Sequence, residues 1–394
     1  MVLRQEENEL LTQVGPGTPG GELLRRYWHP VAPLQELSED QPTRFVRILG
    51  EDLVLFRDKS GNAGLIQDHC VHRGASLLYG RVEERGIACA YHGWLYDTRG
   101  NCLETPAEPA DSKFYLTVKA RAYPVQRFAG LYWAYLGPDP APALPRYDVW
   151  ARTDGRRRII VHPQLDCNWL QPMENSADPA HLQILHQHPE RGDQVSTRGR
   201  IDTVQVFDFY ETPFGLMKRR FYVDGSTEEH PILFPNILRT GDTTQIRVPI
   251  DDTHTYVVFV RFQPSADGSA VEQSTELPVE YREPYKVPAD ALHPTTRFRF
   301  WDSNQIDNQI QDYMAWETQG ALSDRTAEHL ATSDRGIVAF REILRREIER
   351  VQRGEEPKAV VRDPDHSIID TGLDASLSRH MRGPAERAGA AVGD

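Results

Sequence analysis

Two short mixed pairs, Cys70-Val71-His72 and Cys89-Ala90-Tyr91-His92, separated by residues 73–88, constrain this chain more than any other feature. Together they offer two thiolates and two imidazoles to one inorganic centre. Tetrahedral zinc accepts the same four donors, but the zinc-finger pattern keeps its cysteines in one pair and its histidines in the other. Here each pair holds one of each. That arrangement suits a [2Fe–2S] cluster in which one iron takes both cysteines and the other both histidines. Neutral imidazoles in place of thiolates reduce the cluster's negative charge, so the reduced state is easier to reach and the potential rises.

The length of 394 residues predicts two or three domains and ample material for a core. No stretch approaches the eighteen or so consecutive apolar residues that a membrane span needs. The first residues, Met1 to Glu9, are acidic and lack an apolar signal core, which argues against export. Cys102 and Cys167 remain outside the mixed pairs and read as free thiols, in keeping with a reducing cytoplasm. The formal net charge of −13 argues against a nucleic-acid partner, because phosphate binding needs a basic face.

Residues 4–13 read as a short helix. Gly15-Pro16-Gly17-Thr18-Pro19-Gly20 matches the dinucleotide fingerprint by letter, but no strand precedes it and two prolines occupy the turn, so it reads as a loop. From about 27 to 137, short apolar runs alternate with turn signals. Residues 45–49, 53–56 and 130–136 read as strands, and 58–62 and 97–101 as hairpin turns. Pro138 to Pro142 marks a linker. The domains expected are therefore 1–26 (helix and loop), 27–145 (all-β, carrying the mixed pairs), 146–354 (strands and helices) and a tail, 355–394. Within the third, 256–262 reads as a strand and 337–344 opens a helix with apolar residues at intervals of three and four. The Ala-, Gly- and Arg-rich stretch after about 373 has no periodic pattern and reads as mobile or as a surface wrap.

A second constellation lies in Asn175-Ser176-Ala177-Asp178-Pro179-Ala180-His181-Leu182-Gln183-Ile184-Leu185-His186. Asp178 and His181, three apart, share a helix face. His186 lies well round an ideal helix from His181, so both reach one ion only if the helix bends, for which Pro179 is a cause. Two imidazoles and a carboxylate form the facial triad that holds non-haem Fe(II) with open positions. The carboxylate is Asp178 itself or one from the polar helix read over 305–317, where Asp312 competes with Asp307 and Glu317.

Taken together, Cys-x-His…Cys-x-x-His and the downstream Asp-x-x-His-x-x-x-x-His resemble the oxygenase component of Rieske non-haem iron aromatic-ring-hydroxylating oxygenases, over roughly residues 10 to 350. Residues 26–31, 311–320, 324–330 and 333–336 resemble the phthalate and phenoxybenzoate branch, which includes aryl-ether O-demethylases. The departure is small: Val71 stands where Pro is frequent. The resemblance implies an α+β fold, with an N-terminal all-β Rieske domain joined to a helix-grip (START-like) catalytic domain whose antiparallel sheet curves around a long helix. It implies that Cys70, His72, Cys89 and His92 ligate the Rieske [2Fe–2S] cluster and that His181, His186 and Asp312 ligate the mononuclear iron. Asp178 is then the bridging carboxylate, joining His181 to His92 of the next subunit in a head-to-tail homotrimer. A carboxylate between two imidazoles orients both.

Nothing convincing in the chain binds flavin or a nicotinamide. The function implied is therefore a cytoplasmic terminal oxygenase that takes O2 and receives electrons from NAD(P)H through a separate reductase, with or without a ferredoxin. The substrate expected is an aromatic acid or a methoxylated aromatic, undergoing ring hydroxylation or O-demethylation by mono- or dioxygenation. Phe207, Phe209, Phe214, Met217, Phe221 and Ile237 read equally as pocket lining and as strand core. Arg219, Arg220 and Arg247 are candidates to hold a carboxylate. The competing functional reading is a Rieske electron carrier or an iron or oxygen sensor. An electron carrier leaves the second motif and some two hundred residues without a purpose, and the extra disulfide and membrane anchor of respiratory Rieske proteins are missing from the sequence.

Overall fold

Alternating apolar runs and turns over 27–137 become three antiparallel sheets in the computed structural model, which describes residues 3–186, 204–223, 225–274, 276–282 and 308–371. Trp28–Pro33, Leu131–Tyr135 and Val125–Phe128 form the first. Thr43–Ile48, Glu51–Arg57, Ala63–Gln67 and Ala122–Tyr123 form the second. Arg81–Glu83, Gly86–Ala88, Leu95–Tyr96 and Cys102–Glu104 form the third. Both expected hairpin turns close: the Asp58 amide donates to the Asn62 carbonyl, and the Asp97 amide to that of Asn101.

The N-terminal segment holds two helices, α1 (Gln5–Thr12) and α2 (Pro19–Leu24). The second corrects the reading of 15–21 as a plain loop. Thr18 Oγ1 accepts the Gly21 amide at 3.1 Å, and Pro19 occupies the first turn, where its missing N–H costs nothing. The glycines serve close approach of backbone rather than phosphate: a Cβ on Gly21 would come within 2.3 Å of the Gly15 carbonyl oxygen.

Beyond residue 145 come α3 (Asp148–Ala151), α4 (Leu170–Ala177), α5 (Asn308–Glu317) and α6 (Arg335–Gln352) around one eight-stranded sheet. Its order across the sheet is Val204–Thr212, Gly215–Tyr222, Thr227–Leu233, Ile237–Thr240, Thr243–Pro249, Thr255–Pro264, Gly155–Leu165, Val279–Tyr281. Seven strands are antiparallel, but the last pairs parallel with Gly155–Leu165, Ile159 facing Val279. The sheet is thus mixed rather than antiparallel throughout. The cause is topological: after Thr255–Pro264 the chain must cross over Gly155–Leu165, already paired on one side, and only its far edge is open.

Side chains alternate across the sheet. Ile159, Val161, Ile246, Val248, Val258 and Val260 join the main core with Phe340, Ile343, Leu344 and Ile348, the apolar stripe of α6. Each fully buried side chain of that stripe contributes about 1.5–3 kcal/mol. Ile160, Val257 and Phe259 face the other way and pack with Tyr313 and Trp316 of α5. The main core is continuous with the N-terminal helices and the all-β domain, for it also contains Leu11, Leu23, Trp28, Trp133 and Trp150. After α6 the chain returns to Arg146–Tyr147, where Ile368–Ile369 pairs parallel to it and the Thr371 amide donates to Asp148 Oδ2 at 3.0 Å. The stretch after about 373 and Asp307 lie outside the described residues. Among the described residues no helix is long and apolar enough to cross a membrane.

Candidate metal centres

The two cysteine loops repeat one backbone pattern. The Cys70 amide donates to the Ala75 carbonyl at 2.9 Å and the Gly74 amide to the Cys70 carbonyl at 2.8 Å. The Cys89 amide donates to the Trp94 carbonyl and the Gly93 amide to the Cys89 carbonyl, both at 2.9 Å. Gly74 and Gly93 turn both loops with φ of +74° and +72°, a conformation that costs glycine little. Each turn carries a buried cysteine with its histidine two or three residues on. Both cysteines are 3% exposed, whereas His72 is exposed and His92 half-buried. The two rings lie 4.6 Å apart, and His72 stacks flat on Trp94 at 4.4 Å.

The chemistry of this cradle suits a cluster. Burial and the adjacent Cys70 thiol push the Cys89 thiol up, while the Tyr91 and His92 amides, aimed at its sulfur, pull it down. Such amides favour the thiolate that an iron would demand. The Tyr96 hydroxyl lies 3.2 Å from Cys70 Sγ. Cys102 is buried in the same apolar cluster, but its Sγ turns to the Glu104 carbonyl at 3.5 Å.

Among the described residues, His181, His186 and Asp312 are the one set of His, Cys, Asp or Glu whose ligand atoms, three or more, all lie within 4.8 Å of one another. The two cysteines and two histidines therefore do not converge on one point, as a single tetrahedral zinc would require. Two irons need two separated pairs of donors.

The second set is assembled by an interruption. α4 ends at Ala177, Asp178 is its extended C-cap, and His181–Gln183 is a single 3₁₀ turn. The expected bend is therefore a helix end, and the ideal-helix angle between His181 and His186 does not apply. Their ring centroids stand 5.3 Å apart at 81°. Asp312, from α5, completes the set: its Oδ1 lies 3.3 Å from His186 Nε2 and 3.7 Å from His181 Nε2. Of its rivals, Glu317 accepts the Asp166 amide at 3.0 Å and is committed there. Asp178 lies on the opposite side of the His181 ring, its Oδ2 3.3 Å from Nδ1, outside the convergent set.

Three partners of this site carry no signal in the sequence. Gln311 Oε1 accepts from His186 Nδ1 at 2.7 Å, which leaves Nε2 as the free donor atom facing Asp312. Asn175 Nδ2 reaches Asp312 Oδ1 at 3.4 Å. Glu174, one helical turn before Asp178, is buried and takes Arg325 at 2.8 and 2.7 Å and Arg341 at 2.6 Å, clamping α4 to α6 and to the 320s.

Charge follows geometry. Burial pushes the Asp178 carboxyl up, but His181, the Ala180 amide and Lys218 outweigh it and hold the carboxyl below its usual range. Lys218 is itself lowered to about 7 by burial, with its Nζ donating to the Ser176 carbonyl at 2.8 Å. Burial depresses His186, yet Asp312 and Gln311 raise it overall. Phe209, Phe214 and Ile237 pack in the main core on the α6 side, so the strand-core reading holds for them.

Comparison with known proteins identifies the family. Residues 27–126 match the Rieske [2Fe-2S] domain. The 5,5'-dehydrodivanillate O-demethylase oxygenase subunit of Sphingobium sp. (strain NBRC 103272 / SYK-6) is 41% identical over 376 residues, 92% of this chain and 84% of the relative. The phenoxybenzoate dioxygenase subunit alpha of Ectopseudomonas oleovorans is 36% identical, covering 89% of this chain and 87% of its own. In fold, the chain is similar to NdmB of Pseudomonas putida CBB5, with a TM-score of 0.58 at 20% identity over 84% of this chain and 93% of that one.

Proposed function

The chain belongs to the oxygenase components of the Rieske non-haem iron oxygenases, and from that premise we propose how its residues hold two metal centres and serve them. Cys70 and Cys89 hold one iron of the [2Fe–2S] cluster, and His72 and His92 the other. His181, His186 and Asp312 would hold a single Fe(II). When bound, the cluster supplies electrons one at a time and the mononuclear iron supplies O2 activation.

The protein's own part is positioning and coupling. Asp178 and Gln311 each take the Nδ1 side of one imidazole and so fix which nitrogen faces the iron. Asp178 also bridges to His92 of a neighbouring subunit, in a head-to-tail homotrimer whose heterologous contacts close into a ring. The exposed edge formed by His72 and the half-buried His92 supports that pairing. A separate NAD(P)H-dependent reductase, with or without a ferredoxin, supplies the electrons.

The substrate is a small aromatic acid or methoxylated aromatic. The relatives support this, one being an O-demethylase for 5,5'-dehydrodivanillate and another a dioxygenase for phenoxybenzoate. Ring hydroxylation and O-demethylation share one chemistry, because hydroxylating a methyl ether carbon gives a hemiacetal that loses formaldehyde.

The observation that carries this reading is the convergence of His181, His186 and Asp312 from two distant segments. The test is metal analysis and EPR on protein purified without O2, before and after dithionite, with nitric oxide added to the reduced sample. About three irons per chain, a rhombic cluster signal and a high-spin ferrous nitrosyl signal are expected. Two irons and no nitrosyl signal after Fe(II) reconstitution would remove the mononuclear site.

A further inference from the structure

Outside both candidate metal centres, a cleft of about 550 Å³ opens where the all-β domain, the catalytic domain and the returning Ile368–Ile369 strand meet. Its size is that of a small-ligand site. Among the described residues, Arg57, Arg127, Arg146, Arg152 and Arg157 line it against a single acid, Glu276. The chain around it carries a formal net charge of −13.

Close packing fixes the walls. Gly130 closes the turn after Val125–Phe128 at φ +77°, and a Cβ on it would stand 2.7 Å from Leu277 Cδ1. The tip of an all-β hairpin therefore presses on the catalytic domain, and arginines from both domains surround the gap. Arg57 ends its strand opposite Ala63, whereas Ala63–Gln67 runs on toward Cys70 from its other end. Arg157 stands near the start of Gly155–Leu165, whose far end leads to α4. The cleft thus lies at the opposite ends of these strands from the cluster loops and from α4.

One of the five arginines is neutralised: Arg152 donates through Nε and Nη2 to Asp154 at 2.9 and 2.8 Å. Among the described residues the other four form no ion pair. Arg157 is 7% exposed, yet its guanidinium meets only neutral oxygens. These are the Val149 carbonyl at 2.9 Å, Gln273 Oε1 at 2.5 Å and the Arg152 carbonyl. Burial, helped by Arg152, lowers its pKa to about 10 against the pull of Asp154. Arg127 lies over the ring of Tyr132 at 5.6 Å and gives an N–H to the Gly61 carbonyl. Arg146 lies over the ring of Phe128 at 5.2 Å. A guanidinium laid on an aromatic face keeps its edge donors free for an oxyanion.

Cations gathered in one cleft repel one another, and a buried one with no counter-ion is costly. An anion of two or more charges relieves both effects. The planar forks match phosphate and carboxylate oxygens alike.

We propose that this cleft binds a multivalent oxyanion, a phosphate ester or a polycarboxylate, and thereby ties the all-β domain to the catalytic domain. Neither metal centre takes part, so the site stands apart from the oxygenase reading.

The test is calorimetry on the full-length protein carrying its iron, titrated with inorganic pyrophosphate and with citrate. Sodium chloride holds the ionic strength at about 0.15 M throughout, so that general screening is the same in every titration. At least one probe binds, one per chain. Arg57→Gln and Arg146→Gln each raise its Kd on the order of tenfold, and the double variant about a hundredfold. Neither side chain is buried, so the fold survives these changes. Arg146→Lys keeps the charge without the fork and falls between. Arg345→Gln, on the exposed side of α6, changes nothing. The bound probe also raises the melting temperature of the parent protein and not of the double variant. Binding of pyrophosphate alone assigns a phosphate ester, of citrate alone a polycarboxylate, and of both the shared oxyanion chemistry. The proposal is overturned if neither probe binds at millimolar concentration, as when a second copy of the chain fills the cleft. It is overturned equally if binding ignores the Arg57 and Arg146 variants, or if Arg345→Gln weakens it as much.

Discussion

Asp178 holds the His181 ring from behind: its Oδ2 lies 3.3 Å from Nδ1, while Nε2 on the other side of the ring looks toward Asp312 at 3.7 Å. One carboxylate thus touches the candidate iron centre without belonging to it. Asp178→Asn keeps the volume and one acceptor but removes the charge. Both metals should remain, while turnover falls by about 10- to 100-fold. Iron content and cluster EPR read the first, and product formation the second. Near-normal turnover would count against a coupling role.

Gln311 does for His186 what Asp178 does for His181, with a neutral oxygen. Gln311→Leu removes the acceptor at the 0% exposed end of that contact and frees the ring to turn. Mononuclear iron affinity should drop about 10- to 100-fold with the cluster untouched. Gln311→Glu restores an acceptor and should recover the affinity. Competition with a ferrous chelator measures both.

All four cysteines are buried, so burial alone does not pick out cluster ligands. Loop geometry does. Cys89→Ser should abolish the visible iron–sulfur absorption, and Cys102→Ser should leave it intact. Loss in both variants would show that the cradle, rather than its ligands, had failed.

Glu174 is clasped by two buried guanidinium groups; without it Arg325 is a buried charge with no carboxylate, while Arg341 keeps Glu328 at 2.8 and 3.0 Å. Glu174→Ala should cost about 3–5 kcal/mol of stability. It should also reduce iron retention, because α4 presents Asp178. Replacing Glu174, Arg325 and Arg341 together with apolar residues should recover much of the loss. Thermal denaturation of the three forms separates these outcomes.

The candidate metal centres were legible where their donor residues sit a few positions apart. Cys70 with His72, Cys89 with His92, and His181 with His186 are local patterns, and each lands in a turn or at a helix end. Asp312 was legible only through resemblance, since spacing left Asp178, Asp307, Asp312 and Glu317 in contention; of the three that the structure describes, Asp312 is the one that meets His186. Gln311 and Glu174 were not legible at all: their partners lie 125 and 151 residues away, and long-range pairing leaves no periodicity. The parallel edge strand escaped for a similar reason, because three residues of strand carry too little pattern to show which edge they will meet. The helix at Pro19–Leu24 escaped because two glycines and a proline argue for a turn, and only the close backbone contacts around Gly21 show what they are for.

His29, in the buried strand Trp28–Pro33, gives the chain a pH dependence of its own. It is 0% exposed, and its Nε2 donates to the Leu24 carbonyl at 2.8 Å while Nδ1 meets Asn236 Nδ2 at 3.4 Å. Both ring nitrogens are thereby used by the neutral tautomer. Burial lowers its pKa from 6.5 to about 4, with Leu24 opposing and Arg25 assisting. Between those values the unfolded chain binds the proton and the folded chain does not, so stability rises with pH and is lost as pH falls from about 6.5 toward 4. From about pH 7 to about pH 5 the loss is about 2 kcal/mol. His29→Gln cannot titrate, so it should be less stable near neutrality yet show a shallower fall in denaturation midpoint over that interval. Equal slopes in the two proteins would mean that other groups, and not this imidazole, set the acid limit of the fold.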